Sequence, residues 1–540
     1  MFDITQLEPA FIKYCTTRNH SYTYGTAGFR ANASTLDTVM FTTGIVAILR
    51  SLVLQGKYIG VMITASHNPP QDNGVKIVEP SGAMLIESWE QIATDLANIA
   101  SHGNFTAFVM HLSQVIAKLN IDETTTPRLI VGHDSRESSP YLMECLQAAA
   151  PVFDTIVINH TLITTPQLHY LTMLQNDVVT EVDYYKFFST SWNNLFSLYP
   201  DLNLTFNNLI VDGANGVGSV QFSKFLPYLP QLATLTTIIN DKHNVPQMLN
   251  VDCGADFVKT NQKLPNGIVN PNPSDLYASF DGDADRIVFY YVDNNKKFHL
   301  LDGDKISTIL TKCLISMLRE SELLNDINLG VVQTAYANGS STKYITKSLK
   351  VPVECTKTGV KHLHHIAESK FDIGIYFEAN GHGTVLFSNK FYEVLQKAID
   401  NGSSSEKIHK ARLSLFYFSK LINQTVGDSM ADLLAVIATL SILQLSPSDW
   451  DTEYQDLPNL LTKCTVLNRF VFKTTDMERK LTSPSGLQEK IDAAVSKYDS
   501  GRSFVRASGT EDAVRIYAEA KTKAEVEALS KEVTQLVENS

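Results

Sequence analysis

The chain has 540 residues, too many for one hydrophobic core; at roughly 100–200 residues per domain, the length predicts three to five domains. Hydrophobic residues make up 44% and charged residues 19%, an ordinary globular composition that excludes a mostly disordered chain. With 45 Lys and Arg against 57 Asp and Glu, the formal net charge is −12, which excludes a general role on nucleic acid or an anionic membrane but admits a phosphorylated ligand met by locally concentrated cations.

The N-terminal stretch MFDITQLEPAFIKYC lacks the basic and apolar regions of a signal peptide, and the expected location is the cytoplasm. Six scattered cysteines (Cys15, Cys145, Cys253, Cys313, Cys355 and Cys464), with no CxxC pair, read as free thiols in a reducing compartment. Next comes Tyr24–Arg30 (YGTAGFR), a small-residue loop that ends in a cation. Apolar, β-branched runs then recur: YIGVMITA (58–65), RLIVGHD (128–134), NLIVDGANG (208–216), RIVFYYV (286–292), LGVVQTAYA (329–337) and FDIGIYFEANG (371–381). Several end in a polar or glycine-rich turn followed by helix-compatible sequence, the pattern of an α/β protein whose loops gather at the carboxyl ends of its strands. NLIVDGANGVGSV reads as strand, turn and helix start; without the GxGxxG order it is a tight connection and not a dinucleotide site. In a cytoplasmic chain the sequon at Asn203 stays unmodified. The apolar stretch Leu433–Leu445 is shorter than the ~20 residues of a membrane span and carries Thr, Ser and Gln, so it is predicted as a buried core helix. The last hundred residues, with SFVRASGTEDAVRIYAEA and an amphipathic helix over KTKAEVEALSKEVTQLVEN, predict a small α+β domain. Composition shifts near 180, near 295 and over 446–460 set the expected domains at 1–180, 181–297, 298–450 and 451–540.

Four stretches carry chemistry. Thr64–Lys76 (TASHNPPQDNGVK) follows a strand and is held open by Asn-Pro and Asp-Asn-Gly turns, presenting Ser66, while Lys76 and His67 could neutralise charge or move protons beside it. Asp281-Gly-Asp283-Ala-Asp285-Arg286 offers three hard carboxylates for Mg²⁺ or Ca²⁺. It is not an EF-hand, which wants Gly at the sixth position and Glu at the twelfth, where Arg286 and Val292 stand. Nor is it the DxDx[TV] of a haloacid-dehalogenase-type phosphatase. Three carboxylates leave room for a phosphate oxygen, as suits Mg²⁺ bound partly by its substrate. Glu378–Gly383 (EANGHG) combines close-approach glycines with groups that can bond vicinal hydroxyls, and Thr358–His362 is a basic turn just upstream. Arg506–Arg515 (RASGTEDAVR) exposes backbone N–H groups between two arginines suited to phosphate.

Together, TASHNPPQDNGVK, DGDADR, EANGHG and RASGTEDAVR occur in the order and at about the spacing of the four signature loops of the α-D-phosphohexomutase superfamily. The resemblance runs from YGTAGFR to the last strand. It implies three α/β domains plus a C-terminal α+β domain around a central cleft, one loop coming from each. It implies Ser66 as a phosphoserine carrier, one Mg²⁺ per chain held by Asp281, Asp283, Asp285 and the phosphate on Ser66, and a hexosamine bisphosphate as primer and intermediate. Arg286 and Lys76 would stabilise charge on the moving group, and Lys76 or His67 would handle the proton of the attacking hydroxyl. Glu378, Ala379, Asn380, Gly381 and His382 match the sugar loop; Arg506, Ala507, Ser508, Gly509, Thr510 and Arg515 match the clamp on the distal phosphate. The implied partner is a small-molecule sugar phosphate, with no nucleic acid and no membrane. EANGHG and the short TASHNPPQDNG form are most similar to the branch that acts on N-acetylglucosamine phosphates in nucleotide-sugar synthesis, and the GExSG-type loop of phosphoglucomutases and bacterial phosphomannomutases is missing. The alternatives are such a glucose or mannose enzyme, a Mg²⁺-dependent phosphatase using Ser66, or a silent sensor. Against the last, Ser66, all three aspartates and both clamp arginines are present.

Overall fold

Each apolar run forms a strand where predicted. The structure, a computed structural model, describes residues 2–122, 124–402, 405–508 and 512–540, so Gly509 and Thr510 lie outside the described residues. The chain divides into two units, Met1–Leu300 with Tyr417–Ser441, and Leu301–Phe416 with Ile442–Ser540.

In the first unit, β1 (Phe29–Asn32), β2 (Tyr58–Ile63), β3 (Asp72–Val78), β4 (Arg128–His133) and β5 (Ile156–Leu162) make one sheet in the order β1-β3-β2-β4-β5. β2, β4 and β5 are parallel, whereas β3 runs antiparallel to both β1 and β2. Helices α1 (Asp37–Val53) and α2 (Thr165–Leu174) pack on β2, and all six of its residues are buried, as befits a central strand with covered faces. A second sheet, in the order β10-β9-β8-β6-β7, is built from β6 (Leu209–Asp212), β7 (Thr236–Ile239), β8 (Leu276–Phe280), β9 (Ile287–Val292) and β10 (Phe298–Leu301). The glycine-rich turn after β6 leads into α3 (Val217–Phe225), and α4 (Ala255–Asn261) packs on β8 and β9. The predicted core helix spans Ser429–Leu443 and is buried from Ser429 to Ser441.

The second unit opens with α5 (Gly303–Glu320) and a four-stranded sheet of β11 (Leu329–Thr334), β12 (Val353–Thr356), β13 (Ile373–Phe377) and β14 (Gly383–Phe387), ordered β12-β11-β13-β14. The first three are parallel and β14 is antiparallel to β13; α5 and α6 (Val360–Lys370) pack on this sheet. The chain closes with β15 (Asn459–Thr465), a hairpin of β16 (Lys473–Thr475) and β17 (Lys480–Ser483), then α7 (Leu487–Val495), β18 (Arg502–Ala507), β19 (Ala513–Glu519) and α8 (Lys523–Glu538). β15, β19 and β18 form an antiparallel sheet backed by α7 and α8, whose core is Val505, Val514, Ile516, Leu529 and Val533. Three α/β sheets and a terminal α+β body are therefore present, as expected.

All four chemical stretches share one placement. Each joins neighbouring antiparallel strands: β2 to β3, β8 to β9, β13 to β14, and β18 to β19. The strand-turn-helix pattern describes RLIVGHD and NLIVDGANG, whereas these four loops turn straight back into a strand. No helix among the described residues is long and apolar enough to cross a membrane.

Candidate active site

Ser66 is fully buried and sits at φ +53°, in the left-handed region that a residue with a Cβ occupies at a cost of about 1–2 kcal/mol. Four contacts hold it there. Its N–H donates to Thr64 Oγ1 (3.0 Å), and its carbonyl accepts from Arg136 Nη2 (2.9 Å) and Asn250 Nδ2 (3.0 Å). Its hydroxyl donates to Asp281 Oδ2 at 2.6 Å. Arg136, 2% exposed, spreads its guanidinium through the loop: Nε reaches Asp134 (3.0 Å), Nη1 the carbonyls of Pro69 (2.6 Å) and Asp72 (2.8 Å), and Nη2 also that of Asn68 (3.0 Å). A planar cation with five fixed donors suits a loop that turns four carbonyls, those of Ser66, Asn68, Pro69 and Asp72, towards it.

The β8–β9 loop lies directly against this one. A Cβ at Gly282 would fall 2.6 Å from the Ser66 carbonyl oxygen, so only glycine admits so close an approach. Asp281, Asp283 and Asp285 are buried, and one oxygen of each lies within 4.8 Å of the others, which among the described residues is the only such group of three. Asp281 Oδ1 accepts the backbone N–H of Asp285 and of Arg286, both at 3.1 Å. Thr165, at the start of α2, donates to Asp283 Oδ2 at 2.6 Å, which leaves Asp283 Oδ1 buried without a hydrogen bond. Burial first, then the charges of Asp285 and Asp283, push the Asp281 carboxyl well above the usual carboxylate range. Three hard oxygens, a mutual repulsion and an orphaned acceptor fit a divalent cation.

Cations surround the acids. Lys76 Nζ lies 3.2 Å from Asp285 Oδ2 and 3.7 Å from Asp283 Oδ2. Arg286 gives Nη1 to both oxygens of Asp256 on α4 at 3.0 Å and holds Nε 4.0 Å from Asp281 and 3.9 Å from Asp285. Its carbonyl accepts from Ser429 Oγ at 2.6 Å, so the buried helix Ser429–Leu443 braces the loop. His67 is partly buried with Nδ1 unbonded; burial, then the Arg286 charge, push it down to about 4, so the ring is neutral near pH 7. Arg30, from YGTAGFR, donates to Asn68 Oδ1 (3.3 Å), and burial followed by Arg286 lowers its pKa.

In the second unit, Glu378–His382 closes as a compact turn. The Glu378 N–H donates to the His382 carbonyl (2.9 Å), that of Gly381 to the Glu378 carbonyl (2.8 Å), and that of His382 to Asn380 Oδ1 (3.0 Å). Asn380 Nδ2 donates to Glu378 Oε2 (3.3 Å), and Gly381 takes φ +86°. Gly303, at the head of α5, packs so closely beneath that a Cβ would sit 1.8 Å from the Glu378 carbonyl oxygen. Across the terminal sheet, Arg506 pairs in register with Arg515 and Arg515 with Lys463, putting three cations side by side on the face opposite α7 and α8. Arg506 donates to Tyr336 OH (3.0 Å) and to Glu478 Oε1 (2.9 Å). Ala507 ends β18 and Ser508 begins the loop, its N–H donating to the Ala513 carbonyl (2.8 Å).

Ser66, His67, Lys76, Arg286 and the three aspartates thus come together in the first unit. Glu378–His382 form one turn in the second, Arg506, Ala507 and Arg515 lie on its terminal sheet, and Ser508 lies just past β18; Gly509 and Thr510 lie outside the described residues. Sequence reasoning missed Arg136, Asn250, Thr165 and Asp256 around Ser66, and Tyr336, Lys463 and Glu478 around Arg506. A faint signal existed for Arg136, a lone arginine just past the strand end GHD.

Four family patterns match the chain in order: phosphoglucomutase/phosphomannomutase alpha/beta/alpha domain I over 26–103, phosphoacetylglucosamine mutase AMG1 domain II over 175–288 and domain III over 302–445, and the phosphoglucomutase/phosphomannomutase C-terminal domain over 461–536. They define a phosphohexomutase with its domains I to IV. The chain is 54% identical to the phosphoacetylglucosamine mutase of Saccharomyces cerevisiae, across 100% of this chain and 99% of that one. It is similar to the crystal structure of N-acetylglucosamine-phosphate mutase in the substrate complex, with 49% identity, a TM-score of 0.92 and coverage of 98% of this chain and 99% of that one. It is similar also to Aspergillus fumigatus N-acetylphosphoglucosamine mutase in complex with GlcNAc-6P and magnesium, with 41% identity, a TM-score of 0.91 and 99% coverage of both chains. The chain belongs to the phosphoacetylglucosamine mutase family of the α-D-phosphohexomutase superfamily.

Proposed function

We propose that the chain interconverts N-acetylglucosamine 6-phosphate and N-acetylglucosamine 1-phosphate, with Ser66 as the phosphoryl carrier. The observation that carries this is the buried Ser66 hydroxyl, 2.6 Å from one of three converging carboxylates. In the forward half-reaction a phosphoryl group passes from Ser66 to a sugar hydroxyl: the bond from phosphorus to the serine oxygen breaks, a bond to the sugar oxygen forms, and the hydroxyl proton leaves to a base. The hexosamine bisphosphate so formed turns around and returns its other phosphate to Ser66. A free bisphosphate primes the unphosphorylated enzyme in the same way.

Asp281, Asp283 and Asp285 would hold one Mg²⁺ per chain, with the phosphate on Ser66 completing its ligands. When bound, that ion supplies charge stabilisation for the transferring group. Arg286 and Lys76 add fixed positive charge there without reorganisation. Arg136 and Asn250 keep Ser66 in its left-handed conformation, so that its oxygen faces the acids. The neutral ring of His67 takes the proton of the attacking hydroxyl. Glu378, Ala379, Asn380, Gly381 and His382 recognise the sugar, while Arg506, Ala507, Ser508, Gly509, Thr510 and Arg515 bind the phosphate that is not being transferred, contributing binding energy away from the chemistry. We assign these roles to domains at 1–180, 181–297, 298–450 and 451–540. The cysteines, all free thiols, suit the reducing cytoplasm.

Turnover of the 6-phosphates of N-acetylglucosamine, glucose and mannose, measured side by side, tests the substrate. The expected order puts N-acetylglucosamine first. A preference for glucose overturns the assignment, and phosphate release faster than isomer formation makes the protein a phosphatase.

A further inference from the structure

Arg506 does not stand alone in the second unit. Nε is held by Tyr336, which follows β11, and Nη1 by Glu478 Oε1, from the β16–β17 turn. The other Glu478 oxygen, Oε2, accepts both the N–H (2.8 Å) and the hydroxyl (2.6 Å) of Thr358, which follows β12. One carboxylate therefore ties the clamp arginine to the turn Thr358-Gly-Val-Lys-His, at the same carboxyl edge of the parallel strands from which the sugar loop leaves β13. Glu478 closes a run of three non-glycine residues in the left-handed region, Asp476 at φ +51°, Met477 at +53° and Glu478 at +69°. Adjacent strained residues persist where the surroundings over-determine them, and such runs gather at functional sites. Burial works against the Glu478 charge, yet the donors of Thr358 and the Arg506 cation prevail and hold the carboxyl below the usual range. Burial likewise opposes the Arg506 charge, and Tyr336 and Glu478 outweigh it.

We propose that Glu478 is a positioning residue for substrate phosphate: it fixes the Arg506 guanidinium and the Thr358 turn in one frame, so that the clamp is formed before the sugar phosphate arrives. The role rests on Arg506 being the phosphate clamp of the function proposed above. With Tyr336 on Nε and Glu478 on Nη1, the guanidinium cannot swing, and an ordered fork loses less freedom on binding than a loose one. Glutamine at 478 keeps the size but can accept at only one oxygen; its amide donors would face the donors of Thr358, and the bridge opens.

The test is Glu478→Gln in the full chain. KM for N-acetylglucosamine 6-phosphate is expected to rise about tenfold while kcat falls by less than about threefold, the signature of lost binding rather than lost chemistry. The dissociation constant for inorganic phosphate should rise by a similar factor. In an Arg506→Lys background the Glu478→Gln effect should disappear, because the two act as a unit. Glu478→Asp, which keeps the charge, should recover part of the loss. An unchanged or lower KM, or the same loss in the Arg506→Lys background, overturns the proposal; a lower KM would mean that Glu478 competes with phosphate. If the wild-type protein turned over no sugar phosphate, the mutase reading would fail, and the inorganic phosphate arm would still decide the role of Glu478.

Discussion

Gly282→Ala places one methyl group at the junction of the Ser66 and Asp281 loops. Its Cβ would fall 2.6 Å from the Ser66 carbonyl oxygen, 3.0 Å from Asn250 Nδ2 and 3.2 Å from Leu249 Cδ1. Ordinary van der Waals contact begins at 3.4 Å, so the loops must part by up to about 0.8 Å. The carbonyl cannot retreat cheaply, because Arg136 and Asn250 both hold it. Overpacking of this kind costs about 1–3 kcal/mol, less than the roughly 5–15 kcal/mol that keeps a domain folded. The chemistry is more sensitive: a misplacement of about 1 Å costs on the order of 10²-fold in rate. The variant should fold, melt only a few degrees lower (about 2–4 °C per kcal/mol), and lose roughly 30- to 100-fold in kcat/KM. Thermal unfolding and steady-state mutase kinetics, run on the same preparation, make the comparison. Wild-type turnover in Gly282→Ala would refute the claim that loop spacing sets the rate.

Three further outcomes follow from the same geometry. Asn250→Ala removes one of two donors to the Ser66 carbonyl and should lower kcat about tenfold, one charge-free hydrogen bond's worth, with KM nearly unchanged in steady-state assays. Asp283→Asn should raise the Mg²⁺ concentration needed for half-maximal protection against unfolding by at least about tenfold; equal protection by Mg²⁺ in the variant would remove Asp283 from the ligand set. Asp37, which accepts from Thr16 N–H (3.0 Å), Thr17 Oγ1 (2.6 Å) and Thr38 N–H (2.7 Å), is held below the usual carboxylate range; burial opposes this and the Thr16 and Thr17 donors outweigh it. A depressed folded pKa means stability that is present above the unfolded pKa near 4 and lost as pH falls through the folded value. Asp37→Asn should therefore cost about 2 kcal/mol near neutrality and flatten the loss of urea resistance below pH 4; an unchanged acid profile would contradict it.

Six strands, β2, β4, β6, β9, β11 and β13, were legible because each is a contiguous apolar run, and the four loops because their chemistry is packed into strings of six to thirteen residues. DGDADR alone announces three hard ligands. The return strands after the Ser66 and Glu378 loops were not legible, because an antiparallel strand such as β3 or β14 looks like any short apolar stretch until its partner is known. The residues that support the site were hidden for a related reason. Arg136 lies 70 positions from Ser66 and Asn250 lies 184 away, so they meet the loop only through the fold. Glu478 sits in DMERK, an ordinary charged turn by composition. Its function depends on three left-handed residues and a distant arginine, neither of which a single sequence displays.

The phosphorylation state of Ser66 is the most direct measurement. Intact mass with peptide mapping, after incubation with a hexose or hexosamine bisphosphate, should place about 80 Da on the Ser66 peptide, as one phosphate adds. That mass should leave on addition of excess N-acetylglucosamine 6-phosphate. Ser66→Ala should carry no label, fold normally and turn over only at background. A label on another residue, or near-normal turnover in Ser66→Ala, would contradict a phosphoserine mutase.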